Sequence, residues 1–203
     1  MNAERAINHH ADHPGFSGVT GMLCGLVFLV VGRAKARLAA DIAQISSADH
    51  VVDVGCGPGT AARVAARRGA RVTGVDPASS MLRLARMVTS KRAPITWSVG
   101  TAEALPVADG SATVVWALAT VHHWQDVEVA VTEAHRVLVP GGRLIAIERR
   151  SPDDATGLSS HGWTDEQAES FGALCRVAGF DDVSVTGRGS GKGAVWVVCG
   201  IRR

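Results

Sequence analysis

Residues 51–60, with the sequence VVDVGCGPGT, constrain the fold of this chain more than any other segment. A short apolar run that contains one acid leads directly into three glycines at alternate positions, Gly55, Gly57 and Gly59. An apolar run of this length suits a buried strand. Glycine lets the backbone turn tightly and approach a ligand without a side-chain collision. The segment therefore predicts a buried strand that ends in a ligand-binding loop.

Strand and helix patterns alternate after residue 50. The predicted strands lie at 50–54, 70–76, 94–100, 112–119 and 143–148, and the helices between them at 60–68, 79–89 and 125–139. This alternation is typical of an α/β fold, with a Rossmann-like, mostly parallel sheet and helices on both of its faces.

The C-terminal part of the chain follows a different pattern. Thr164 and Gln167 have the spacing of a capping box, which predicts a helix that ends near Ala178. Two further strand patterns, at 181–187 and 194–201, flank a glycine-rich segment. Strands joined by a short loop predict an antiparallel hairpin at the edge of the sheet.

The apolar run at 22–31 needs a separate interpretation. It is shorter than the about 20 residues with which a helix crosses a bilayer. Its positive charges, Arg33, Lys35 and Arg37, follow the run, whereas a signal peptide carries them before it. We expect no integral membrane segment, but a lid helix that continues as an amphipathic helix to about Ile45.

Length and charge suit a globular protein with one main domain. Of the 203 residues, 1–45 are predicted to form an N-terminal arm and the apolar cap helix, and 46–203 the main domain. The formal net charge of +2 gives no indication of a nucleic-acid-binding surface. The sequence does not predict an oligomeric state.

The cysteine and histidine patterns predict neither a disulfide nor a metal site. The four cysteines lie far apart and form no C-x-x-C pair, so a reducing, cytoplasmic location is expected. His9, His10 and His13 could bind a metal ion, but we interpret them as part of a solvated terminal arm.

Two acids indicate what the glycine loop binds. The loop reads G-x-G-x-G, which differs from the G-x-G-x-x-G of dinucleotide-binding loops. Asp53, two residues before the first glycine, would repel a pyrophosphate but suits a ligand that carries an ammonium group. Asp76 ends the second predicted strand, where an acid can accept hydrogen bonds from a ribose diol.

Four segments in order carry a family resemblance: VVDVGCGPGT, VTGVDPASSML, GTAEALPVADGS and VLVPGGRL. They resemble the motifs of class I S-adenosylmethionine-dependent methyltransferases, most closely the small-molecule branch called the methyltransferase type 11 group. The resemblance extends over roughly residues 50–150. It implies a seven-stranded sheet with strand order 3-2-1-4-5-7-6, S-adenosylmethionine as cofactor and a small-molecule acceptor.

The resemblance also implies the cofactor contacts. Those to the methionine end would come from Asp53, Gly55, Cys56, Gly57 and Leu118. Those to the ribose and adenine would come from Asp76, Pro77, Met81, Thr101, Ala102 and Glu103. Each acid also has a structural interpretation: Asp53 as a cap of the following loop, Asp76 as a helix start, and Glu103 as an exposed loop acid.

The chain departs from the family pattern at two positions. Family members often have an aspartate where Thr101 and Thr113 stand here. A threonine hydroxyl at position 101 can still accept a hydrogen bond from the adenine amino group, but without charge, so we expect a weaker contact.

The segment ATVHHW, residues 119–124, supplies the candidate catalytic residues. His122 and His123 follow the fourth strand, and histidine is the residue type that most readily transfers protons near neutral pH. In the family such histidines often have a structural or cofactor-lining role instead. Glu148, followed by two arginines, is predicted to form a surface ion pair. The apolar run at 22–31 favours a lipophilic or aromatic acceptor.

Three other functions compete with a methyltransferase. A nicotinamide-dependent oxidoreductase shares the sheet and a glycine loop, but the loop spacing and Asp53 argue against it. A nucleic-acid methyltransferase would carry an Asn/Asp-Pro-Pro-aromatic motif or a nucleophilic cysteine after the fourth strand, and neither is present. A non-catalytic cofactor-binding module of the same fold remains open. We expect a cytoplasmic methyltransferase that acts on a small molecule.

Overall fold

The computed structural model describes residues 7–8 and 32–203 of the chain. Within this part, seven strands form one sheet. The strands are β1 (His50–Val54), β2 (Arg71–Asp76), β3 (Ile95–Val99), β4 (Ala112–Leu118), β5 (Leu138–Arg149), β6 (Phe180–Arg188) and β7 (Val195–Arg202). The α-helices are α1 (Arg33–Ile42), α2 (Thr60–Arg67), α3 (Ser79–Met87), α4 (Val127–Val137) and α5 (Asp165–Val177).

The strand order is β3-β2-β1-β4-β5-β7-β6, which confirms the predicted topology. β1 lies between β2 and β4 and pairs with both in parallel. All five of its residues are buried, as expected of a central strand in a parallel sheet. β7 pairs antiparallel with both β5 and β6, so the C-terminal hairpin forms as predicted and inserts its second strand beside β5.

Two apolar cores cover the two faces of the sheet. Alternate residues of β1 face opposite sides, so Val51 joins the core under α1 and α2, whereas Val52 and Val54 join the core under α4 and α5. Trp116 of β4 is fully buried on the first side, and Phe171 of α5 is fully buried on the second. The sheet is therefore covered on both faces, as the alternation of elements predicted.

Helix α1 packs against α2 through its alanines. Ala36, Ala39 and Ala40 are fully buried, and such small side chains let two helices approach closely. The predicted amphipathic helix thus exists, but it ends at Ile42 instead of Ile45. The domain boundary at residue 45 stays a prediction.

Most of the predicted N-terminal arm lies outside the described residues. This applies to the lid helix at 22–31 and to the three histidines at 9–13. Among the residues that the structure does describe, no helix has both the length and the apolar character needed to cross a membrane.

The ends of the last two α-helices follow from local hydrogen bonds. Thr164 and Gln167 form the predicted capping box, in which each side chain accepts from the other's backbone N–H. α4 ends at Val137, earlier than predicted, because Leu138 already pairs with Ala112 of β4. Proline and glycine at 140–142 therefore interrupt a strand pairing rather than end a helix.

We predict that Gly59→Ala lowers the free energy of unfolding by about 2–5 kcal/mol. Gly59 has a φ of 75°, and a Cβ there would lie 2.1 Å from the ring of Trp97. The left-handed backbone costs about 1–2 kcal/mol, and the collision adds about 1–3 kcal/mol.

Gly193→Ala is the matched control, because Gly193 has an ordinary φ and no described atom lies within 4 Å of its added Cβ. Chemical denaturation of both variants measures the difference. Equal stability of the two variants would contradict this account of Gly59.

Candidate functional site

The three glycines of the loop after β1 have different roles. All three have positive φ, at 66°, 51° and 75°. A Cβ on Gly55 would lie 2.1 Å from Thr120 Oγ1, and one on Gly59 would meet Trp97. Of these three glycines, only Gly57 has no described atom within 4 Å of its Cβ position. Gly55 and Gly59 thus serve protein packing, and Gly57 is the glycine that borders open space.

Asp76 attaches the glycine loop to the end of β2. Its buried carboxylate accepts hydrogen bonds from Gly57 N–H and Ala78 N–H, each at 2.8 Å. Burial raises the pKa of Asp76, and these two N–H groups oppose the increase. A carboxylate has about four acceptor positions. Two donors therefore leave capacity for hydroxyl groups of a ligand at Gly57.

Asp53 is buried beneath the loop. Its Oδ2 accepts a hydrogen bond of 2.9 Å from Ala62 N–H in the first turn of α2. Burial raises the pKa of Asp53 to about 7; the hydrogen bond from Ala62 N–H opposes this increase, the charge of Asp76 adds to it, and the charge of Arg63 opposes it. The backbone contact agrees with the structural interpretation of this acid. Contact with a ligand's ammonium group stays a prediction.

The loop after β3 holds the predicted adenine-side residues. Thr101 is exposed and forms an isolated bridge with Ala104, and Ala102 is buried. Oε1 of Glu103 accepts from Gln125 N–H at 2.8 Å and from Asp126 N–H at 3.2 Å. The Glu103 side chain therefore holds the start of α4, a role that neither sequence interpretation included.

The fold places the elements that carry the predicted site residues at one edge of the sheet. The loops after β1, β2, β3 and β4 all follow the carboxyl ends of parallel strands, which share one edge. These loops and strand ends, with the first turn of α3, form what we call the ligand edge; they carry Asp53, Gly55, Cys56, Gly57, Asp76, Pro77, Met81, Thr101, Ala102, Glu103, Leu118, His122 and His123. Cys56 and Met81 are buried, Leu118 is half-buried, and Pro77 is exposed.

Thr113 lies at the opposite end of the sheet. Its hydroxyl donates to Asp49 at 2.8 Å and accepts from His50 N–H at 3.0 Å. The departure from the family pattern at this position therefore affects the hydrogen bonds among Thr113, Asp49 and His50 at the opposite end of the sheet, and not the ligand edge.

Glu148 is the main correction to the sequence analysis. The predicted surface ion pair is wrong, because the side chain of Glu148 is fully buried. Its Oε1 accepts from Val121 N–H at 2.8 Å, and its Oε2 lies 3.0 Å from Nδ1 of His122. Burial favours the neutral acid, but His122, Lys35 and Val121 N–H together hold the pKa of Glu148 below its ordinary value.

A tight turn after β4 brings the paired histidines to the ligand edge. Ala119 has a φ of 58°, which is rare for a residue with a side chain, and its N–H donates to Ile147 of β5. Thr120 then packs on Gly55, and a short 3₁₀ helix, Val121–His123, carries both imidazoles. His122 is buried and His123 is half-buried.

His161 joins these two histidines from the loop after β5. One imidazole nitrogen from each of His122, His123 and His161 lies within 4.8 Å of the other two. The ring centroids of His122 and His123 are 4.2 Å apart, and that of His161 lies 5.5 Å from the first and 5.6 Å from the second. Sequence reasoning missed His161, because nothing local in its loop distinguishes it.

Two further parts of the chain approach this region. Lys35 of α1 is electrostatically coupled to Glu148, and burial lowers the pKa of Lys35 while Glu148 opposes the decrease. Asn8 donates from Nδ2 to the carbonyls of Trp124 and Gln125, and Trp163 donates from Nε1 to the carbonyl of Ile7. The described piece of the N-terminal arm is therefore bonded next to the histidines.

Comparison with known proteins agrees with this geometry. Residues 52–146 match the family model described as "Methyltransferase domain". The chain is 35% identical over 111 residues to the ubiquinone/menaquinone biosynthesis C-methyltransferase of Rubrivivax gelatinosus, covering 55% of this chain and 43% of that protein. It is 35% identical over 105 residues to the 2-methyl-6-phytyl-1,4-hydroquinone methyltransferase of a Synechocystis species, covering 51% and 33%. The match thus spans less than half the length of each relative.

A solved structure extends the fold comparison to most of the chain. The S-adenosylmethionine-dependent methyltransferase of Aquifex aeolicus superposes with a TM-score of 0.72 over 90% of this chain and 98% of its own, at 14% identity. The family match and the strand order agree with this superposition. The domain around residues 52–146 therefore belongs to the type 11 group of the class I S-adenosylmethionine-dependent methyltransferase family.

Proposed function

We propose that this protein transfers a methyl group from S-adenosylmethionine to a lipophilic aromatic small molecule that carries an ionisable hydroxyl group. The observation that carries the proposal is the pairing of Gly57, which borders open space, with the Asp76 carboxylate that holds it. This pairing offers a cofactor both room beside the backbone and a charged acceptor for its ribose.

The residues of the ligand edge fit the cofactor of the family. We propose that Asp76 accepts from the ribose hydroxyls, that Ala102 and Thr101 border the adenine, and that the loop at Gly55–Gly57 receives the methionine end. When bound, S-adenosylmethionine supplies a methyl group that its sulfonium makes electrophilic. The protein then has to orient the acceptor and exclude water.

Asp53 has a defined part in this proposal. Its carboxyl is buried under the loop, and an ammonium group nearby would favour its ionised form. The same side chain keeps its bond to Ala62 N–H and so holds the start of α2 below the cofactor.

The nature of the acceptor is supported by the relatives and by the histidines. The name of one relative refers to quinone biosynthesis and that of another to a hydroquinone, and hydroquinones are weakly acidic phenols. Such an acceptor becomes a better nucleophile when it loses its hydroxyl proton. We propose that His122 and His123 take part in that ionisation, with Glu148 orienting His122.

We predict that Asp76→Ala weakens S-adenosylmethionine binding by about 100-fold or more. The loss follows from two hydroxyl hydrogen bonds to a charged acceptor, each worth about 1.5–3 kcal/mol. Calorimetric titration measures the change, and Asp76→Asn, which keeps one acceptor oxygen, should have an intermediate effect.

Asp49→Ala is the matched control for that titration. Asp49 is also a buried carboxylate that accepts a hydrogen bond from a backbone N–H. It lies at the opposite end of the sheet, where it is bonded to Thr113 and Arg143. The Asp49→Ala variant should be less stable than the wild type but bind the cofactor with unchanged affinity. The proposal would be overturned if the folded wild-type protein bound a nicotinamide cofactor and did not bind S-adenosylmethionine.

We predict that cofactor binding at pH 6 releases close to one proton. Asp53, with a pKa of about 7, is mostly protonated at pH 6 in the free protein, and an adjacent ammonium group would ionise it. Calorimetry in buffers of different ionisation enthalpy counts the protons. Asp53→Asn should bind without this release, and at pH 8 the release should vanish for the wild type as well.

The raised pKa of Asp53 also fixes the sign of a stability effect. The folded state keeps the proton that the unfolded state loses, so the contribution of Asp53 is complete below its ordinary pKa and decreases as pH rises toward about 7. Tight cofactor binding at pH 6 without proton release would mean that Asp53 does not meet the ammonium group.

We predict that S-adenosylhomocysteine forms when the protein is given S-adenosylmethionine and a demethylated quinol, and that polar amine acceptors give no product. A panel of acceptors assayed for S-adenosylhomocysteine tests this. Intact cofactor binding with no turnover on any acceptor would favour the non-catalytic binding module.

A further inference from the structure

We propose that His122, His123 and His161 bind one divalent transition metal ion, with zinc the best match, beside the glycine loop. Metal binding itself does not depend on the proposed function, but the role that we give to the metal does. No cysteine takes part, which is why the cysteine pattern in the sequence gave no sign of this site.

The ligand geometry needs only small adjustments. The three candidate nitrogens lie within 4.8 Å of one another. In a tetrahedral zinc site each nitrogen lies about 2.0–2.1 Å from the ion, which places the nitrogens about 3.3 Å apart. His123 and His161 are half-buried on a short 3₁₀ helix and a loop. Side-chain rotation of these two can close the remaining distance.

Glu148 prepares His122 for this role. Val121 N–H fixes one carboxylate oxygen, and the other is in hydrogen-bond contact with Nδ1 of His122. A proton held on Nδ1 leaves Nε2 with its lone pair directed away from the carboxylate. A metal-bound histidine is commonly supported by a carboxylate that accepts a hydrogen bond from its other ring nitrogen. Histidines that are merely adjacent at a surface would not have a fully buried carboxylate bonded to one of them, as His122 has in Glu148.

The donor set selects the class of metal. Imidazole nitrogen suits zinc, copper, iron, cobalt and nickel, whereas magnesium and calcium prefer oxygen ligands. Three protein ligands leave one position for water or substrate, as in catalytic zinc sites.

The position of the site indicates what occupies the fourth place. The histidines follow Thr120, whose side chain packs on Gly55 of the loop proposed to hold the methionine end of the cofactor. We therefore assign the open position to the hydroxyl oxygen of the acceptor. A bound metal lowers the pKa of such a hydroxyl, so that its proton passes to solvent. An electron pair of the ionised acceptor forms the bond to the methyl carbon, and the pair of the broken carbon–sulfur bond stays on sulfur.

The test is a metal titration of tag-free protein stripped with a chelator. Cobalt(II) is the probe, because a tetrahedral site gives it visible absorption, and zinc should displace it. We expect one cobalt ion per chain and no competition from magnesium. His161→Ala should lower cobalt affinity by more than the about 10–100-fold that loss of a supporting carboxylate costs.

Matched controls separate this site from other histidines. The triple variant His9→Ala, His10→Ala, His13→Ala removes equally many imidazoles from the N-terminal arm and should leave cobalt binding unchanged. Glu148→Gln should weaken it by about 10–100-fold. Because Glu148 and His122 are buried, their variants are checked for folding, whereas His123→Ala and His161→Ala change half-buried side chains and carry the result.

Three outcomes would overturn the proposal. They are no cobalt binding, binding that survives both His123→Ala and His161→Ala, and binding lost in the N-terminal triple variant. Full turnover of the stripped enzyme, lost only in His122→Ala, would assign general-base catalysis to His122 and overturn the role of the metal. Cofactor calorimetry on the same stripped protein keeps the two proposals apart, because it tests the cofactor binding on which the proposed function rests without any metal.

Discussion

The parallel pairing of β1 with both β2 and β4 is the constraint on which the site depends. It places the carboxyl ends of β1, β2, β3 and β4 at one edge, so the loops that follow them converge there. The glycine loop is held against β2 by two hydrogen bonds, from Gly57 N–H to the Asp76 carboxylate and from Cys56 N–H to the Val75 carbonyl. Thr120 can pack on the same loop only because Gly55 has no side chain. The ligand edge is thus built by backbone contacts between neighbouring strands.

Buried carboxylates are concentrated at this edge. Asp53, Asp76 and Glu148 are all buried, and each accepts at least one backbone N–H. Burying a charged group is costly unless it is hydrogen-bonded or paired, so a fold that needed only stability would avoid placing three of them at one edge of the sheet. Perturbed ionisable groups are typical of functional sites. Their grouping around Gly57 and the histidines is consistent with cofactor binding on one side and acceptor activation on the other.

The two proposals describe successive parts of one edge. The loops after β1, β2 and β3 carry the residues assigned to the cofactor, and the segments after β4 and β5 carry the three histidines. Among the segments that carry the histidines, Val121 N–H donates to the buried Glu148, whose charge also interacts with Lys35. Asn8 of the N-terminal arm donates to the carbonyl of Trp124, next to His123. An acceptor bound at the histidines would therefore be enclosed by parts of the chain that differ from the cofactor loops.

The sequence by itself determined the elements and their order. Apolar runs, glycines and caps act within a few residues, so β1 with its loop, the capping box at Thr164 and the antiparallel hairpin follow from local patterns. The family resemblance added the strand order and the cofactor residues. Only the tertiary structure decided that Glu148 is buried against His122, that Glu103 holds the start of α4, and that His161 lies beside His122 and His123. These contacts join residues far apart in the chain, and no local pattern encodes which distant side chains will meet once the sheet has formed.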